Sequence, residues 1–294
     1  MKNGILLIDK PSDWTSHDVI AKLRGILRER RIGHAGTLDP MATGLLTVFV
    51  GRATRAVEFA EAETKTYITK LRLGLTTDTQ DITGRVLSET EVSVSREELE
   101  AVLPRFLGEI LQVPPMYSAI RVDGQRLYKL ARQGVEVERK ARPVTIHGIT
   151  ILDETDGDFD LEITCSKGTY IRTLCHDIGK VLGCGGTMAA LRRTRVGGFS
   201  LEEAYTIEQV AEAEDKSGLL LPVDTLFAGY PVLTISADCE QKFRNGQRVR
   251  IDAGVLGRCR VYGQSGEFLA LGEVLDEQGL VLATVKNFFV PQTL

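Results

Sequence analysis

Helix-like and strand-like segments follow one another along this chain of 294 residues without regular alternation. A short apolar run at residues 5–8 indicates a buried strand, and the one-sided apolar spacing between Val19 and Leu27 predicts an amphipathic helix. Residues 67–73 alternate as in a strand with one buried face. A doubly wound parallel sheet needs repeating strand–helix units, so the pattern instead predicts an α+β fold. We expect a mixed, mainly antiparallel sheet with flanking helices and loops.

Several further elements are predicted in residues 1–200. They are, in chain order, a helix with Ser16 as N-cap, a Gly-rich loop leading to a buried strand at 45–50, a helix opened by a capping box at Ser95 and Glu98, strands at 144–152 and 159–165, and a helix over residues 169–182 ended by Gly183.

The sequence changes in character after Pro231. A short helix at residues 237–244 precedes strand-like runs separated by glycine and polar turns, at 247–251, 258–262, 268–274 and 280–285. These runs predict a small β-barrel of about 60 residues. Residues 201–230 resemble an acidic connector with one short helix starting at Thr206. We therefore expect one domain over residues 1–230, connector included, and a second over residues 231–294.

The net charge of −4 argues weakly against a nucleic-acid partner, because phosphate-binding proteins usually carry a basic excess. The average conceals a local difference, however. Residues 201–230 hold seven acidic residues and one basic residue, whereas residues 1–200 hold 28 basic and 26 acidic residues. The acidity is concentrated in the connector, and a basic surface elsewhere remains compatible with the sequence.

Nothing in the sequence indicates a membrane protein or a secreted protein. No apolar run approaches the roughly 20 residues of a membrane span, and the N-terminal apolar stretch is too short for a signal peptide. The five cysteines form no CxxC pair and, with four histidines, no zinc spacing. We expect a cytoplasmic monomer with reduced, mostly buried thiols and no metal site.

The densest candidate for chemistry is the segment from Gly33 to Leu45, which contains three glycines, His34, Asp39 and Pro40. Glycine permits backbone geometries that other residues avoid, and Pro40 biases Asp39 away from helical geometry. The segment therefore predicts an irregular loop that holds one carboxylate in a fixed position. A turn-forming role for Asp39 is an equal alternative, and the glycine spacing matches neither a P-loop nor a dinucleotide fingerprint.

This segment resembles the catalytic loop of the bacterial TruB-type synthases, which convert uridine 55 in the T loop of tRNA to pseudouridine. Other segments agree with the same family in the same order, at residues 7–11, 65–67, 114–119, 166–172 and 191–197. The resemblance covers about residues 4–200. The C-terminal part resembles the small RNA-binding barrel, the PUA fold, that many of these enzymes carry.

The resemblance implies a reaction and three catalytic residues. The reaction breaks the N-glycosidic bond of uridine, rotates the base and rejoins it through carbon 5. Asp39 matches the catalytic aspartate, and Arg172 matches the arginine that would keep that carboxylate charged and oriented. Tyr67 matches the tyrosine that stacks on the uracil and whose hydroxyl is suited to the late proton transfer from carbon 5. From residue type alone, a surface helix residue is the simpler interpretation of Arg172. Tyr67 is equally a half-buried strand residue.

Six further residues are implied as substrate-binding. Leu191 matches an apolar residue that closes the other face of the uracil pocket, although by itself it resembles a helix core residue. Lys10 matches a lysine that buttresses the site or neutralises charge, although a solvated loop lysine is the simpler interpretation. His34 matches the histidine that occupies the space left by the flipped base, and a structural loop histidine is its alternative. Gly36, Thr37 and Tyr170 lie within the matching motifs and are included with them.

Basic residues flank these motifs in clusters, which is suited to a site that receives an RNA backbone. The clusters are Arg28, Arg30 and Arg31; Arg121, Arg126, Lys129 and Arg132; and Arg192, Arg193 and Arg195. In the C-terminal part, Lys242, Arg244, Arg248 and Arg250 are candidates for contacts with the acceptor arm or the CCA end of the tRNA. The family implies tRNA as partner, no cofactor and no required protein partner. The alternatives are a related synthase acting on another RNA and a non-catalytic protein that binds or folds tRNA.

Overall fold

The computed structural model describes residues 3–118, 120–122, 124–252, 254–276 and 280–289. Its strands in chain order are β1 (Gly4–Lys10), β2 (Ile32–Ala35), β3 (Thr43–Val50), β4 (Lys65–Leu73), β5 (Leu75–Thr77), β6 (Val86–Glu89), β7 (Gly108–Gln112), β8 (Arg121–Val122), β9 (Gln125–Arg126), β10 (Arg142–Thr155), β11 (Asp158–Cys165), β12 (Gly186–Val196), β13 (Phe199–Ser200), β14 (Val232–Thr234), β15 (Val249–Arg250), β16 (Gly257–Tyr262), β17 (Phe268–Asp276) and β18 (Leu280–Asn287).

Short helices connect these strands. They are α1 (Ser16–Leu27), α2 (Val57–Ala62), α3 (Arg96–Val102), α4 (Leu127–Arg132), α5 (Ile171–Leu182), α6 (Ile207–Glu212) and α7 (Ala237–Arg244). The predicted capping box of Ser95 and Glu98 opens α3, and Gly183 ends α5 in a left-handed conformation, as expected. The N-cap of α1 is Thr15, and the prediction of Ser16 was wrong by one residue, because the Thr15 side chain accepts from Asp18 N. None of the helices within the described ranges is long and apolar enough to span a membrane.

The larger sheet has nine strands in the order β1-β3-β12-β4-β11-β10-β7, with β2 added to β3 and β13 to β12. All pairs are antiparallel except β3 with β12. The prediction of an α+β fold with a mixed, mainly antiparallel sheet is confirmed. The predicted alternation in β4 is also confirmed, since its odd-numbered residues are buried.

Two sequence assignments in this sheet were wrong. The predicted Gly-rich loop starts later than expected, because Ile32–Ala35 pairs with β3 as strand β2. The alternative interpretation of Leu191 as a helix core residue was wrong, because Leu191 lies in the interior strand β12, opposite Thr69 of β4. Both errors come from short apolar segments, which periodicity alone does not assign.

The C-terminal sheet has five strands in the order β14-β16-β17-β18-β15. Helix α7 and the strands β15 to β18 lie where the sequence predicted a helix and four strands, and β14 was not predicted. The edge strands β14 and β15 do not pair with each other within the described residues, so the sheet is a curled half-barrel rather than the small β-barrel that was expected.

The acidic residues 201–230 do more than connect the two sheets. Leu221 exchanges backbone hydrogen bonds with Ile5, and Tyr205 bonds to the backbone of β1. Phe227 packs against Phe59 on one side and against Phe268 and Phe288 of the C-terminal part on the other. The segment thus lines the larger sheet and contributes to an apolar core shared by both sheets.

Candidate active site

The loop at residues 36–42, between β2 and β3, carries Asp39 and is fixed at several points. The Ser16 hydroxyl at the start of α1 accepts from Leu38 N at 3.0 Å and donates to Leu38 O at 3.3 Å. Asp13 N donates to Pro40 O at 2.9 Å. Because these anchors lie on both sides of Asp39, the carboxylate is held on a rigid support although it lies in a loop.

Glycine is required where this loop joins the sheet. Gly44 has a φ of +98°, and a Cβ there would lie 2.3 Å from the Arg193 carbonyl oxygen of β12. Gly36 has a φ of +71°. Both positions exclude ordinary side chains, which explains why the motif is rich in glycine.

Arg172, in the first turn of α5, forms an ion pair with Asp39. Its Nε lies 3.0 Å from Asp39 Oδ2, and its Nη2 lies 3.5 Å from Asp39 Oδ1. The Arg172 side chain is 5% exposed and that of Asp39 is 38% exposed. The guanidinium is therefore enclosed, whereas the carboxylate is partly exposed to solvent. The structure brings together the pair that the sequence predicted.

Asp81 contacts Arg172 and was not singled out from the sequence. Its Oδ2 lies 3.5 Å from Arg172 Nη1, and its Oδ1 accepts hydrogen bonds from Thr79 and Thr83. Arg172 also donates to the carbonyls of Thr79 at 3.0 Å and Tyr117 at 2.9 Å. The guanidinium is thus clamped from several directions. The sequence did contain a signal, since Asp81 stands between Thr79 and Thr83 and Gly84 follows. Glycine is needed at position 84, because a Cβ there would lie 2.2 Å from Thr79 Oγ1.

The electrostatics of Asp39 reflect two opposing influences. Burial raises the pKa of its carboxyl above the ordinary value, the Arg172 guanidinium opposes that rise, and the charge of Asp81 adds to it. The group therefore combines a raised proton affinity with an oriented cation, as is typical of functional sites.

Tyr67 and Leu191 lie beside this pair in one apolar cluster. Both are nearly buried, at 9% and 8% exposure, and they share the cluster with Leu38 and Ile171. Burial raises the pKa of the Tyr67 hydroxyl, and the Arg193 guanidinium counteracts that effect. The predicted aromatic and aliphatic residues thus lie in the apolar cluster that includes Leu38, the neighbour of Asp39.

Tyr170 is held in place through its backbone. The side-chain amide of Gln112 accepts from Tyr170 N at 2.8 Å and donates to Tyr170 O at 3.1 Å. The ring is half-buried near Ser118 and Arg172, and burial raises the pKa of its hydroxyl. Tyr170 therefore lines the same region as Arg172. Gln112, which fixes it, was not singled out from the sequence.

Lys10 is not placed to bind a substrate directly, contrary to the sequence prediction. Its side chain is fully buried, and Nζ donates to the carbonyls of Trp14 at 2.6 Å, Pro11 at 2.8 Å and Pro40 at 3.1 Å. Burial lowers its pKa to about 8, against the attraction of Asp13 and Asp39. Lys10 contacts the 36–42 loop through Pro40, which fits the buttressing role that the resemblance implies, and it is not the solvated loop lysine of the simpler interpretation.

His34 lies in β2, just before the loop, and is half-buried. Its ring meets that of exposed His17 edge to face, with centroids 5.4 Å apart. Burial, with the charges of His17 and Arg193, lowers the pKa of His34 to about 4. The ring is therefore neutral at neutral pH. Gly36 is half-buried and Thr37 is exposed on the same loop.

The basic clusters divide into exposed and engaged side chains. Arg28, Arg30, Arg31, Arg126, Lys129 and Arg195 are exposed, whereas Arg192 pairs with Asp9 at 2.7 Å. Arg193 is 1% exposed, and its assignment to an RNA-binding cluster was wrong. In the C-terminal part, Arg244 is engaged by Glu240 and Glu267. The side chains of Arg121 and Arg132 lie outside the described part of the structure.

Known proteins match this chain over most of its length. A family model described as TruB family pseudouridylate synthase (N terminal domain) matches residues 24–171, and two models for C-terminal domains of TruB proteins match residues 172–228 and 231–281. A tRNA pseudouridine synthase B from Pseudomonas aeruginosa (strain UCBPP-PA14) is 44% identical over 282 residues, covering 94% of this chain and 93% of that protein. The chain belongs to the TruB family of pseudouridylate synthases.

Other relatives and solved structures agree with this family. A tRNA pseudouridine synthase B from Ralstonia pickettii (strain 12J) is 47% identical over 269 residues, covering 89% of this chain and 85% of that protein. A chain of the crystal structure of a Cbf5-Nop10-Gar1 complex superposes with a TM-score of 0.76 at 26% identity, covering 98% of this chain and 85% of that one. A chain of the archaeal box H/ACA sRNP Nop10-Cbf5 complex gives 0.74 at 25% identity, covering 99% and 88%. As a TruB family member, the protein is an isomerase that forms pseudouridine.

Proposed function

We propose that this protein converts uridine 55 in the T loop of tRNA to pseudouridine. The observation that carries the proposal is the Asp39 carboxylate, partly open to solvent and fixed at 3.0 Å by a buried arginine. Its relatives at 44% and 47% identity are named tRNA pseudouridine synthase B. Both kinds of support converge on a reaction that needs one ionised, oriented carboxylate.

In this mechanism the ionised Asp39 acts as nucleophile or as base while the bond between N1 and C1′ breaks. The uracil then rotates, carbon 5 bonds to C1′, and loss of the C5 proton together with protonation of N1 completes the isomerisation. Tyr67 and Leu191 cover the two faces of the uracil, which their shared apolar cluster supports. The Tyr67 hydroxyl takes part in the proton transfer from carbon 5.

The target uridine must leave its stack before it can reach Asp39, because the reacting atoms are inaccessible in a folded T loop. His34 takes the position that the flipped base vacates, and Gly36, Thr37 and Tyr170 contact the RNA around it. The neutral state of His34 supports a stacking role, since burial lowers its pKa to about 4. Exposed Arg28, Arg30 and Arg31 supply charge for the RNA backbone.

We assign catalysis to residues 1–230 and an RNA-binding role to residues 231–294, as a PUA-like domain. The separate apolar core of the C-terminal sheet supports this division. The enzyme acts in the cytoplasm, without a cofactor and without a required protein partner. The Cbf5 chains resemble this one at 25% and 26% identity, well below the relatives named for tRNA, which favours tRNA over another RNA.

The test is mass-spectrometric mapping of pseudouridine in an unmodified tRNA transcript incubated with the pure protein. We expect one new pseudouridine, in the T loop, and none when uridine 55 is replaced by cytidine. Modification at another position or in another RNA would contradict the proposed substrate. The complete absence of pseudouridine, with tRNA still bound, would support a binding or folding protein instead.

A further inference from the structure

Arg193 is a fully buried cation that the mechanism above does not use. It lies in β12 at 1% exposure, and no described carboxylate forms an ion pair with it. Burying a guanidinium without a carboxylate is costly, and apolar side chains of similar volume usually stabilise a core at least as well. Retaining the charge at this position therefore calls for a functional explanation.

The contacts of Arg193 connect the 36–42 loop with Tyr67. Its Nε donates to Leu45 O at 2.7 Å and its Nη2 to Gly36 O at 2.9 Å. In the sheet, Arg193 is directly opposite Tyr67 of β4. Directly opposed residues of antiparallel strands present their side chains on the same face, about 5 Å apart at Cβ. One guanidinium thus fixes the start of the loop that carries Asp39 and lies beside the Tyr67 ring.

The charged and titratable groups around the Tyr67 hydroxyl come from three elements. Arg193 on β12 lowers the pKa of that hydroxyl, whereas burial, Cys165 on β11 and Asp39 on the loop raise it. Burial also raises the pKa of the Cys165 thiol to about 11, so this thiol is neutral at neutral pH. The positive charge of Arg193 therefore counteracts the effect of burial on the pKa of the Tyr67 hydroxyl.

We propose that Arg193 is a positioning residue that orients Tyr67 and supports negative charge on its oxygen when that oxygen takes the C5 proton of the uridine. The Tyr67 hydroxyl first loses its proton to water. The phenolate oxygen then bonds to the C5 proton, and the electron pair of the C5–H bond forms the double bond between C5 and C6 while the pair of the C6–N1 double bond moves onto N1. A proton from water reaches N1, so the product is an isomer of the substrate. This inference rests on the proposed function, because it concerns the last step of that reaction.

The experiment compares single-turnover rates on tRNA with hydrogen or deuterium at carbon 5 of its uridines. Arg193→Met is expected to lower the rate by about 10²-fold or more, as when a group that stabilises developing charge is removed. It should show a primary isotope effect and an acid limb at higher pH than the wild type, because loss of C5–H now limits the rate. Arg72→Met is the matched control, because Arg72 lies on the strand of Tyr67 and pairs with Asp158, and it should keep the isotope effect of the wild type.

A chemical rescue separates support of charge from a structural role. In Arg193→Lys, replacing Tyr67 by 3-fluorotyrosine should recover much of the lost rate, since a more acidic phenol needs less support. A rate loss in Arg193→Met without a primary isotope effect would overturn the inference. If Arg193→Met does not fold, absence of rescue in Arg193→Lys would overturn it as well. Failure of the wild type to form pseudouridine would instead count against the proposed function.

Discussion

The larger sheet and the C-terminal half-barrel bury different kinds of side chain. Every buried polar or charged side chain among the described residues lies before residue 200, including Lys10, Arg172 and Arg193. The core of the C-terminal sheet is apolar, and its Arg244 pairs with Glu240 and Glu267. Since buried charge costs stability, its concentration around Asp39 indicates a region selected for chemistry, whereas the half-barrel is organised for stable packing.

Replacing Asp39 by asparagine should produce the largest loss of activity. The amide keeps the size of the side chain but cannot act as a nucleophile or base. We expect pseudouridine formation to fall by at least about 10³-fold, as for other removed nucleophiles, while tRNA binding stays within a few-fold. Single-turnover assays and filter binding measure the two quantities.

Asp160→Asn is the matched control, because Asp160 forms a partly exposed ion pair with Lys70 on the larger sheet. It should leave both quantities nearly unchanged. Turnover retained in Asp39→Asn would remove Asp39 from the mechanism.

Phe227→Ala should produce the largest loss of stability with little effect on chemistry. The ring is 2% exposed and contacts Phe59, Phe268 and Phe288 in the core shared by both sheets. We expect the free energy of unfolding to fall by about 3–5 kcal/mol, measured by urea denaturation. The turnover rate of the folded fraction should change less than about twofold. A large drop in that rate would mean that the two regions are coupled more closely than their cores indicate.

The sequence predicted the fold well where apolar patterns are long or turn residues are distinct. The alternation of β4, the capping box of α3 and the helix and strands after Pro231 illustrate this. It failed for β2 and for Leu191, because a short apolar segment suits both a strand and a buried helix.

The site was predicted only through the resemblance to a family, since composition and spacing left Asp39 as either a turn former or a catalytic residue. Asp81 and Gln112 escaped because their roles depend on contacts with residues far away in the sequence. Asp81 reaches Arg172 across 91 positions, and Gln112 reaches Tyr170 across 58. Arg193 was misassigned to the surface, because a run of arginines does not reveal which member points inward.

Arg172→Lys tests the orientation of the catalytic carboxylate. Lysine keeps the charge but not the planar fork that contacts Asp39, Asp81 and two carbonyls. We expect a rate loss of about 10²-fold with tRNA affinity nearly unchanged, because the guanidinium is buried and acts on the carboxylate rather than on RNA. Equal activity of the wild type and Arg172→Lys would count against a functional ion pair between Arg172 and Asp39. Weaker tRNA binding with an unchanged rate would mean that Arg172 contacts the RNA.

Acidification should abolish pseudouridine formation already at a pH above the ordinary pKa of an aspartate, about 3.9. Asp39 must be ionised to react, and its pKa is raised mainly by burial. The rate should therefore fall as the pH drops toward this raised value, in a window where circular dichroism shows the protein still folded. A limb at the ordinary value would mean that Arg172 cancels the effect of burial.

Asp81→Asn sharpens the same measurement through its sign. The charge of Asp81 raises the pKa of Asp39, so removing it should move the acid limb to lower pH. The maximal rate should fall by about tenfold, because Arg172 loses one of its two carboxylate partners while keeping its carbonyl contacts. At acidic pH the shift of the limb raises the rate relative to the wild type, whereas the lower maximal rate reduces it. A loss of folding would only reduce the rate. A limb that moves to higher pH would mean that Asp81 acts on Asp39 mainly by holding Arg172 in place rather than through its own charge.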